Sequence, residues 1–131
     1  MPRILLVEDD QIFVAIYKRE FINNGFEVDV AVNGKEGLGA LEKKHYDLVM
    51  LDILLPDIDG VEVFRQIKAQ DATKDIPVVF LTNLSQNDNI EKAFQLGAIG
   101  YLVKASYSPD QVVHEVKNFL AQNAATAAAQ K

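Results

Sequence analysis

Polar residues follow four apolar segments of this sequence, and their types suit the binding of a metal ion and a phosphate group. They are Glu8, Asp9, Asp52, Thr82 and Lys104. Three carboxylates brought together repel one another unless a cation neutralises them. Ligands that offer only oxygen favour a hard ion, and a few carboxylates completed by water suit Mg²⁺ better than Ca²⁺. We therefore predict a magnesium site formed by these acids.

Asp52 is the candidate for the reacting residue. A carboxylate beside Mg²⁺ and an ammonium group is arranged to accept a phosphoryl group, because that transfer depends mostly on positioning and on neutralising the moving oxygens. In this hypothesis Asp52 attacks phosphorus, and Mg²⁺ and Lys104 hold the phosphoryl oxygens. Thr82 then forms a hydrogen bond with the product, an aspartyl phosphate.

Buried strands are the elements that must position these residues. Unbroken apolar runs are typical of strands covered on both faces of a parallel sheet, and they occupy residues 4–7, 48–51, 77–81 and 99–103. Residues 27–32 alternate in polarity instead, which predicts a partly covered edge strand. The sequence therefore predicts five strands, four of which end at a candidate site residue.

Helices are predicted between the strands from capping residues and apolar residues at helical spacing. Asn33, Asp59, Ser85 and Ser108 are candidate N-caps, and Asn24 with the following glycine ends the first helix. Strands and helices that alternate in this way predict an α/β fold. We expect a doubly wound, five-stranded parallel sheet of order 2-1-3-4-5 with five helices, as in flavodoxin-like proteins.

Together these motifs resemble the receiver domain of two-component response regulators, of the single-domain kind found in chemotaxis receivers. The resemblance extends over nearly the whole chain. It rests on Leu5-Leu6-Val7-Glu8-Asp9-Asp10, on Asp52 with Leu55-Pro56 and Asp59-Gly60, on Thr82, and on Gly100-Tyr101-Leu102-Val103-Lys104.

The resemblance implies a role for each matching position. Asp52 would receive its phosphoryl group from a phosphohistidine of a sensor histidine kinase or of a phosphotransfer protein. Asp9 and Asp52 would bind Mg²⁺ directly, together with the backbone carbonyl of Leu54, and Glu8 would act through a bound water. The protein would then be a signalling switch that takes part in its own phosphorylation and dephosphorylation, and not an enzyme.

The resemblance also implies how the signal leaves the domain. Thr82 would move toward the phosphoryl group and Tyr101 would turn inward. These movements would change the face formed by the fourth helix, the fifth strand and the fifth helix, where a downstream protein is expected to bind. The domain would be a monomer or would dimerise on phosphorylation.

Several residues depart from the pattern of the family or modify it. Ala105 stands where most relatives have a proline joined by a cis bond, and a cis bond before another residue costs about 2.5–4 kcal/mol, so we predict a trans Lys104–Ala105 bond. Asn83 replaces a residue that is usually small. Leu54 and Leu84 occupy positions that flank the path of hydrolytic water in the family, which predicts a long-lived phosphoryl group.

Composition restricts the class of protein. At 131 residues the chain is expected to form one domain, with residues 1–122 as the receiver and 123–131 as an alanine-rich tail or linker stub. Nineteen acidic and 13 basic residues give a net charge of -6, so no direct contact with nucleic acid is expected. With no cysteine, no signal peptide and no apolar run of membrane-spanning length, we expect a cytoplasmic protein that does not contact membranes.

Other functions remain open at this point. A degenerate receiver would bind a partner without phosphorylation; the complete set of candidate residues argues against it, whereas Asn83 and Ala105 leave it open. A Mg²⁺-dependent phosphatase would need a separate acid/base residue and a substrate cap, and the sequence indicates neither. Ile12, Val14 and Ala15 make the first helix apolar on more than one side, which indicates either a contact surface or broad burial.

Overall fold

Five parallel strands form a single sheet in this computed structural model, which describes residues 1–83 and 87–129. The strands are β1 Arg3–Val7, β2 Glu27–Ala31, β3 Leu48–Leu51, β4 Val78–Thr82 and β5 Gly100–Val103. Their order is β2-β1-β3-β4-β5, which confirms the predicted fold.

Within the described residues, five α-helices connect and follow the strands. They are α1 Gln11–Asn23, α2 Gly34–Lys43, α3 Gly60–Ala69, α4 Asn87–Gln95 and α5 Pro109–Ala129, and a short 3-10 helix, Lys104–Ser106, joins β5 to α5. The helix α5 runs through much of the alanine-rich segment, while the proposed division of the chain after residue 122 stays a prediction. No helix in the described ranges combines the length and the apolar character that crossing a bilayer requires.

Helices cover both faces of the sheet, which explains why its central strands are apolar at every position. On one face the strands pack against residues of α2, α3 and α4, and on the other against residues of α1 and α5. The side chains of a strand alternate between these two cores, so Leu5 and Val7 belong to the first and Ile4 and Leu6 to the second. The same alternation decides the face on which a residue that follows a strand lies.

The predicted helix ends depend on local hydrogen bonds. Asn33 accepts the backbone N–H of Glu36 at 2.8 Å, and Asp59 accepts that of Val61 at 2.7 Å, so both N-caps are confirmed. At α5, the Gln111 side chain accepts the Ser108 backbone N–H at 2.8 Å. The predicted cap at Ser85 lies outside the described residues.

Several strand boundaries differ by one residue from the sequence prediction. The strand β2 ends at Ala31, where the last parallel pair with β1 is Val7 with Ala31, and Val32 therefore lies beyond the strand. Thr82 belongs to β4 itself, because it pairs with Val103 of β5. Periodicity shows where an apolar run ends, whereas the partner strand decides how far pairing continues.

The apolar character of α1 is not explained by broad burial. Ile12 is 72% exposed and Ile16 is 40% exposed, while Tyr17 and Phe21 form the buried side of the helix. Of the two interpretations left open by the sequence, burial on all sides is wrong.

Gly60 should be intolerant of any side chain. A Cβ atom at this position would lie 2.1 Å from the backbone oxygen of Asp52 and 2.7 Å from the Cα of Ile53, and backbone atoms cannot move aside. We expect Gly60→Ala to lower the free energy of unfolding by an amount near the upper end of about 1–3 kcal/mol. Urea denaturation measures this change.

Gly39 of α2 provides the matched control, since a Cβ atom there meets nothing within 4 Å. Alanine is the better helix former, so Gly39→Ala should raise stability by about 0.5–1 kcal/mol. Equal effects of the two substitutions would contradict the close approach at Gly60.

Candidate functional site

The predicted site residues meet at the carboxyl edge of the sheet. Glu8 follows β1, Asp52 follows β3, Thr82 ends β4 and Lys104 follows β5. Their exposed fractions are 2%, 6%, 0% and 8%, so this edge holds a group of buried polar residues. Parallel strands all end on one side of the sheet, which is why residues far apart in the sequence converge here.

The three acids lie close enough to share one ion. Carboxylate oxygens of Glu8, Asp9 and Asp52 all lie within 4.8 Å of one another, with Glu8 and Asp52 buried and Asp9 exposed. An octahedral Mg²⁺ holds opposite oxygens about 4 Å apart, so the cluster has nearly the size that one ion requires. The oxygen-only donor set also fits a hard cation.

Lys104 is the cation nearest to these acids. Its Nζ donates to Oε1 and Oε2 of Glu8, at 2.9 and 2.8 Å, and to Oδ2 of Asp52, at 3.2 Å. The side chains of all three residues are less than 10% exposed, at 4%, 2% and 8%. One ammonium group offsets only one of the two buried carboxylates, and Asp9 adds a third negative charge. The edge therefore carries excess negative charge, which favours the binding of a further cation.

Burial of this cluster shifts the titration of Glu8. Desolvation raises the pKa of Glu8 to about 7; the hydrogen bond from Lys104 opposes the rise, and the hydrogen bond and charge of Asp52 add to it. Without a further cation, Glu8 therefore exchanges a proton near neutral pH. The carboxylates of this cluster can therefore bind either a proton or a metal ion.

Thr82 and Tyr101 lie on the face of the sheet that α2, α3 and α4 cover. By strand alternation Thr82 shares the face of Phe80, which packs on the core of α2, α3 and α4. Tyr101 is half-buried, with its ring centroid 5.9 Å from that of Phe80. Burial, and next the negative charge of Asp52, raise the pKa of the Tyr101 hydroxyl, so this residue is coupled electrostatically to the site. The switch roles of both residues stay predictions.

The loop after Asp52 carries the next predicted ligand. The backbone N–H of Leu54 donates to Oδ1 of Asp52 at 3.3 Å, and the Leu54 side chain is 59% exposed. Metal binding by the Leu54 carbonyl stays a prediction.

Leu84 lies outside the described residues, so the expected long life of the phosphoryl group also stays a prediction. The Lys104–Ala105 bond is trans, as predicted.

Asp57 has a structural role that the sequence analysis missed. Its carboxylate accepts the backbone N–H groups of Gly34 and Lys35, at 2.8 and 2.9 Å, and so fixes the loop that follows Asp52 to the N-terminus of α2. Partial desolvation raises the pKa of Asp57, but the bonds from Gly34 and Lys35 outweigh it and lower the pKa to about 2. The partners lie 23 and 22 residues away in the sequence, and no local pattern indicates them.

We expect the contribution of Asp57 to stability to depend on acid pH. Because its pKa is depressed in the folded state from 3.8 to about 2, its contribution is present above about pH 4 and is lost as the pH falls toward 2. Asp57→Asn should therefore destabilise the protein more at pH 6 than at pH 3 in urea denaturation. An equal loss of stability in Asp57→Asn at both pH values would contradict an ionised Asp57 as the acceptor at the N-terminus of α2. NMR titration of the Asp57 carboxyl carbon measures its pKa directly.

Phe13 is a second residue whose role the sequence analysis missed. Its position in the sequence indicates only an apolar residue of α1, yet its ring centroid lies 4.3 Å from Nζ of Lys104. Phe13 and Lys104 belong to opposite ends of the chain, so only the fold shows that they meet.

Comparison with protein families gives one match that covers most of the chain. The model of the response regulator receiver domain matches residues 4–117. Among curated proteins, the chain is 34% identical to the probable transcriptional regulator ycf29 of Porphyra purpurea, over 89% of this chain and 56% of that protein. It is 35% identical to the transcriptional regulatory protein CrdR of Helicobacter pylori, over 89% of this chain and 54% of that protein.

The chain spans about half the length of these curated relatives. Several are named as transcriptional regulators, and one, RpaA of Synechocystis, as a DNA-binding regulator. The expectation that nucleic acid is not a partner is therefore not supported by the relatives.

Solved structures share the fold over nearly the whole chain. A CheY-like receiver domain protein of Methanospirillum hungatei superposes with a TM-score of 0.88 and 25% identity, over 96% of this chain and 98% of that chain. A putative response regulator of Chloroflexus aurantiacus superposes with a TM-score of 0.84 and 32% identity, over 92% of this chain and 98% of that chain. The phosphorylated cyanobacterial phytochrome response regulator RcpA superposes with a TM-score of 0.83 and 28% identity, over 92% of this chain and 94% of that chain.

Proposed function

Since this chain belongs to the receiver domain family of two-component response regulators, we propose that it is a switch whose Asp52 accepts a phosphoryl group from a phosphohistidine. The donor would be a sensor histidine kinase or a phosphotransfer protein. A relative of 28% identity is described as phosphorylated, which supports this proposal.

The buried ammonium group of Lys104 beside Asp52 is the observation that carries the proposal. Oδ2 of Asp52 lies 3.2 Å from Nζ of Lys104. When a carboxylate oxygen of Asp52 forms its bond to phosphorus, the bond from phosphorus to the donor nitrogen breaks, and negative charge stays on the phosphoryl oxygens. Lys104 is placed to stabilise that charge, because a buried cation acts in a medium of low dielectric constant.

The acids of the cluster would also hold the metal ion. Asp9, Asp52 and the carbonyl of Leu54 would bind Mg²⁺ directly, and Glu8 through a water. When bound, the ion supplies positive charge to the oxygens of the transferred group. The close approach of the three carboxylates and their excess negative charge support this assignment. Lys104 would then turn from Glu8 toward the phosphoryl group.

The signal would leave through Thr82 and Tyr101. A hydroxyl at the end of β4 can donate to a phosphoryl oxygen, and Tyr101 on the adjacent strand β5 would turn inward as Thr82 moves. The expected binding face for a downstream protein is formed by α4, β5 and α5. Phe94 of α4 is 49% exposed, which supports a protein contact on that helix. The domain would act as a monomer or as a dimer formed on phosphorylation.

Intact-protein mass spectrometry tests the proposal. The wild-type protein incubated with Mg²⁺ and acetyl phosphate should gain the mass of one phosphoryl group, and chelation of the metal with EDTA should prevent the gain. Borohydride reduction followed by peptide mapping should place the group on Asp52. No added mass would favour a degenerate receiver that acts through binding alone, and a group on another residue would mean that Asp52 is not the acceptor.

A further inference from the structure

The ring of Phe13 lies against the charged end of Lys104. The distance from the ring centroid to Nζ is 4.3 Å, well inside the range of about 6 Å over which a cation is attracted to an aromatic face. The three N–H groups of the ammonium are directed to Glu8 and Asp52, at 2.8 to 3.2 Å. The Lys104 side chain is 4% exposed, so this contact is largely shielded from water.

The ring of Phe13 is held in place independently of Lys104. Phe13 lies in the first turn of α1, where the N-cap Asp10 accepts its backbone N–H at 3.4 Å. One helical turn further along, the buried ring of Tyr17 stacks on it, with centroids 5.8 Å apart and an interplanar angle of 11°. The capped helix end and the stacked ring therefore fix the aromatic face in front of the lysine.

Lys104 lies in a short turn that a long hydrogen bond closes. It begins the short 3-10 helix, and its carbonyl accepts the N–H of Tyr107 at a long 3.5 Å. Ala105, which follows it, does not fix the chain as a proline would. A lysine side chain also has about 2 kcal/mol of rotamer entropy to lose when its charged end is localised.

An aromatic face suits a cation that must change partners. The attraction acts on the whole charge and does not require a particular N–H direction. The ammonium can therefore turn from Glu8 toward a phosphoryl group on Asp52 while it stays over the Phe13 ring. A carboxylate in the place of Phe13 would compete for the N–H groups instead.

We propose that Phe13 is a positioning residue whose ring face holds the Lys104 ammonium beside Asp52, both before and after Asp52 is phosphorylated. The kinetic part of this inference rests on the proposed function, whereas the contact itself does not.

NMR spectroscopy tests the contact without any phosphorylation. Lys104 Hε protons near the ring face should be shifted upfield in the wild-type protein and in Phe13→Tyr, and this shift should be lost in Phe13→Leu. Thermal denaturation of each variant establishes that it is folded. An unchanged Lys104 shift in folded Phe13→Leu would overturn the proposal.

The rate of phosphorylation by acetyl phosphate, at saturating Mg²⁺, tests the effect on the reaction. Phe13→Leu should react about tenfold more slowly, which corresponds to about 1.4 kcal/mol, and Phe13→Tyr should stay within about threefold of the wild type. Ile22→Leu, a change at an exposed apolar residue near the C-terminal end of the same helix, is the control and should react at the wild-type rate.

Fluorinated phenylalanines at position 13 separate charge attraction from packing, because each fluorine weakens the negative face of the ring with little change in size. The rate should fall with each added fluorine. Equal phosphorylation rates across the fluorinated series would mean that the ring acts through packing, even if Phe13→Leu reacts slowly. That result would overturn the proposal. If the wild type itself gains no phosphoryl group, the proposed function fails, and the Lys104 shift still decides whether Phe13 positions the lysine.

Discussion

Asp52→Asn is expected to gain no phosphoryl mass under conditions that phosphorylate the wild-type protein. An amide has nearly the shape of the carboxylate but lacks its nucleophilic charge, so the change removes the reaction and keeps the packing. Asp52 is 6% exposed, and its neighbours should stay in place around an isosteric side chain. Intact-protein mass spectrometry after treatment with Mg²⁺ and acetyl phosphate measures the result.

The same substitution should lower the pKa of Glu8 from its value of about 7. The hydrogen bond and the negative charge of Asp52 both raise that pKa, and asparagine removes the charge, while Lys104 remains as a partner of Glu8. NMR titration of the Glu8 carboxyl carbon measures the change.

Asp59→Asn is the matched control for both measurements. Asp59 is an exposed N-cap of α3, and asparagine caps helices about as well as aspartate. This variant should be phosphorylated like the wild type. Equal phosphorylation of Asp52→Asn and the wild type would mean that Asp52 is not the acceptor.

Lys104→Met should lower the free energy of unfolding by about 3–5 kcal/mol at pH 8, because it leaves the buried carboxylates of Glu8 and Asp52 without their cation. The rate of phosphorylation should fall on the order of 100-fold, since a charge that stabilises the phosphoryl oxygens is lost. Urea denaturation and the acetyl phosphate assay measure the two effects, and Mg²⁺ should restore part of the lost stability.

The loss of stability in Lys104→Met should depend on pH. A carboxyl whose pKa is raised on folding contributes stability below its unfolded value, here 4.5, and that contribution is lost as the pH rises through its folded value, about 7 for Glu8. Removing Lys104 removes a bond that lowers this pKa, so the folded value rises further. The penalty should therefore be smaller at pH 5 than at pH 8.

Lys74→Met controls for the general effect of removing a lysine. Lys74 pairs with Asp71 at 3.2 Å on the surface, with side chains that are 50% and 98% exposed. Exposed pairs contribute about 0–1 kcal/mol, so this variant should differ little from the wild type at either pH. A Lys104→Met protein as stable as Lys74→Met at pH 8 would contradict the buried ion cluster.

Much of the fold could be predicted because its signals are local. An unbroken apolar run such as residues 48–51 suits only a strand that is covered on both faces, and parallel strands with helical connections have few possible orders. The N-caps at Asn33 and Asp59 were predictable for the same reason, since each bonds to a residue two or three positions further along. The convergence of Glu8, Asp52 and Lys104 at one edge then follows from the topology.

The partners within the site were less predictable. The sequence assigned Lys104 to the oxygens of a phosphoryl group, and the structure places its ammonium on both oxygens of Glu8 as well as beside Asp52. Glu8 and Lys104 are 96 residues apart, and residue types alone do not decide which of several acids a lysine contacts.

The sequence by itself determined the order of strands and helices, the edge at which the polar residues gather and the kind of ion and reaction they suit. Each of these follows from hydrophobic periodicity, capping and the chemistry of the side chains. Only the tertiary structure decided that Phe13 faces Lys104 and that Asp57 fixes the loop after Asp52 to α2. Such contacts depend on side-chain directions and on distances of a few ångströms between separate elements, and no pattern along the chain encodes them.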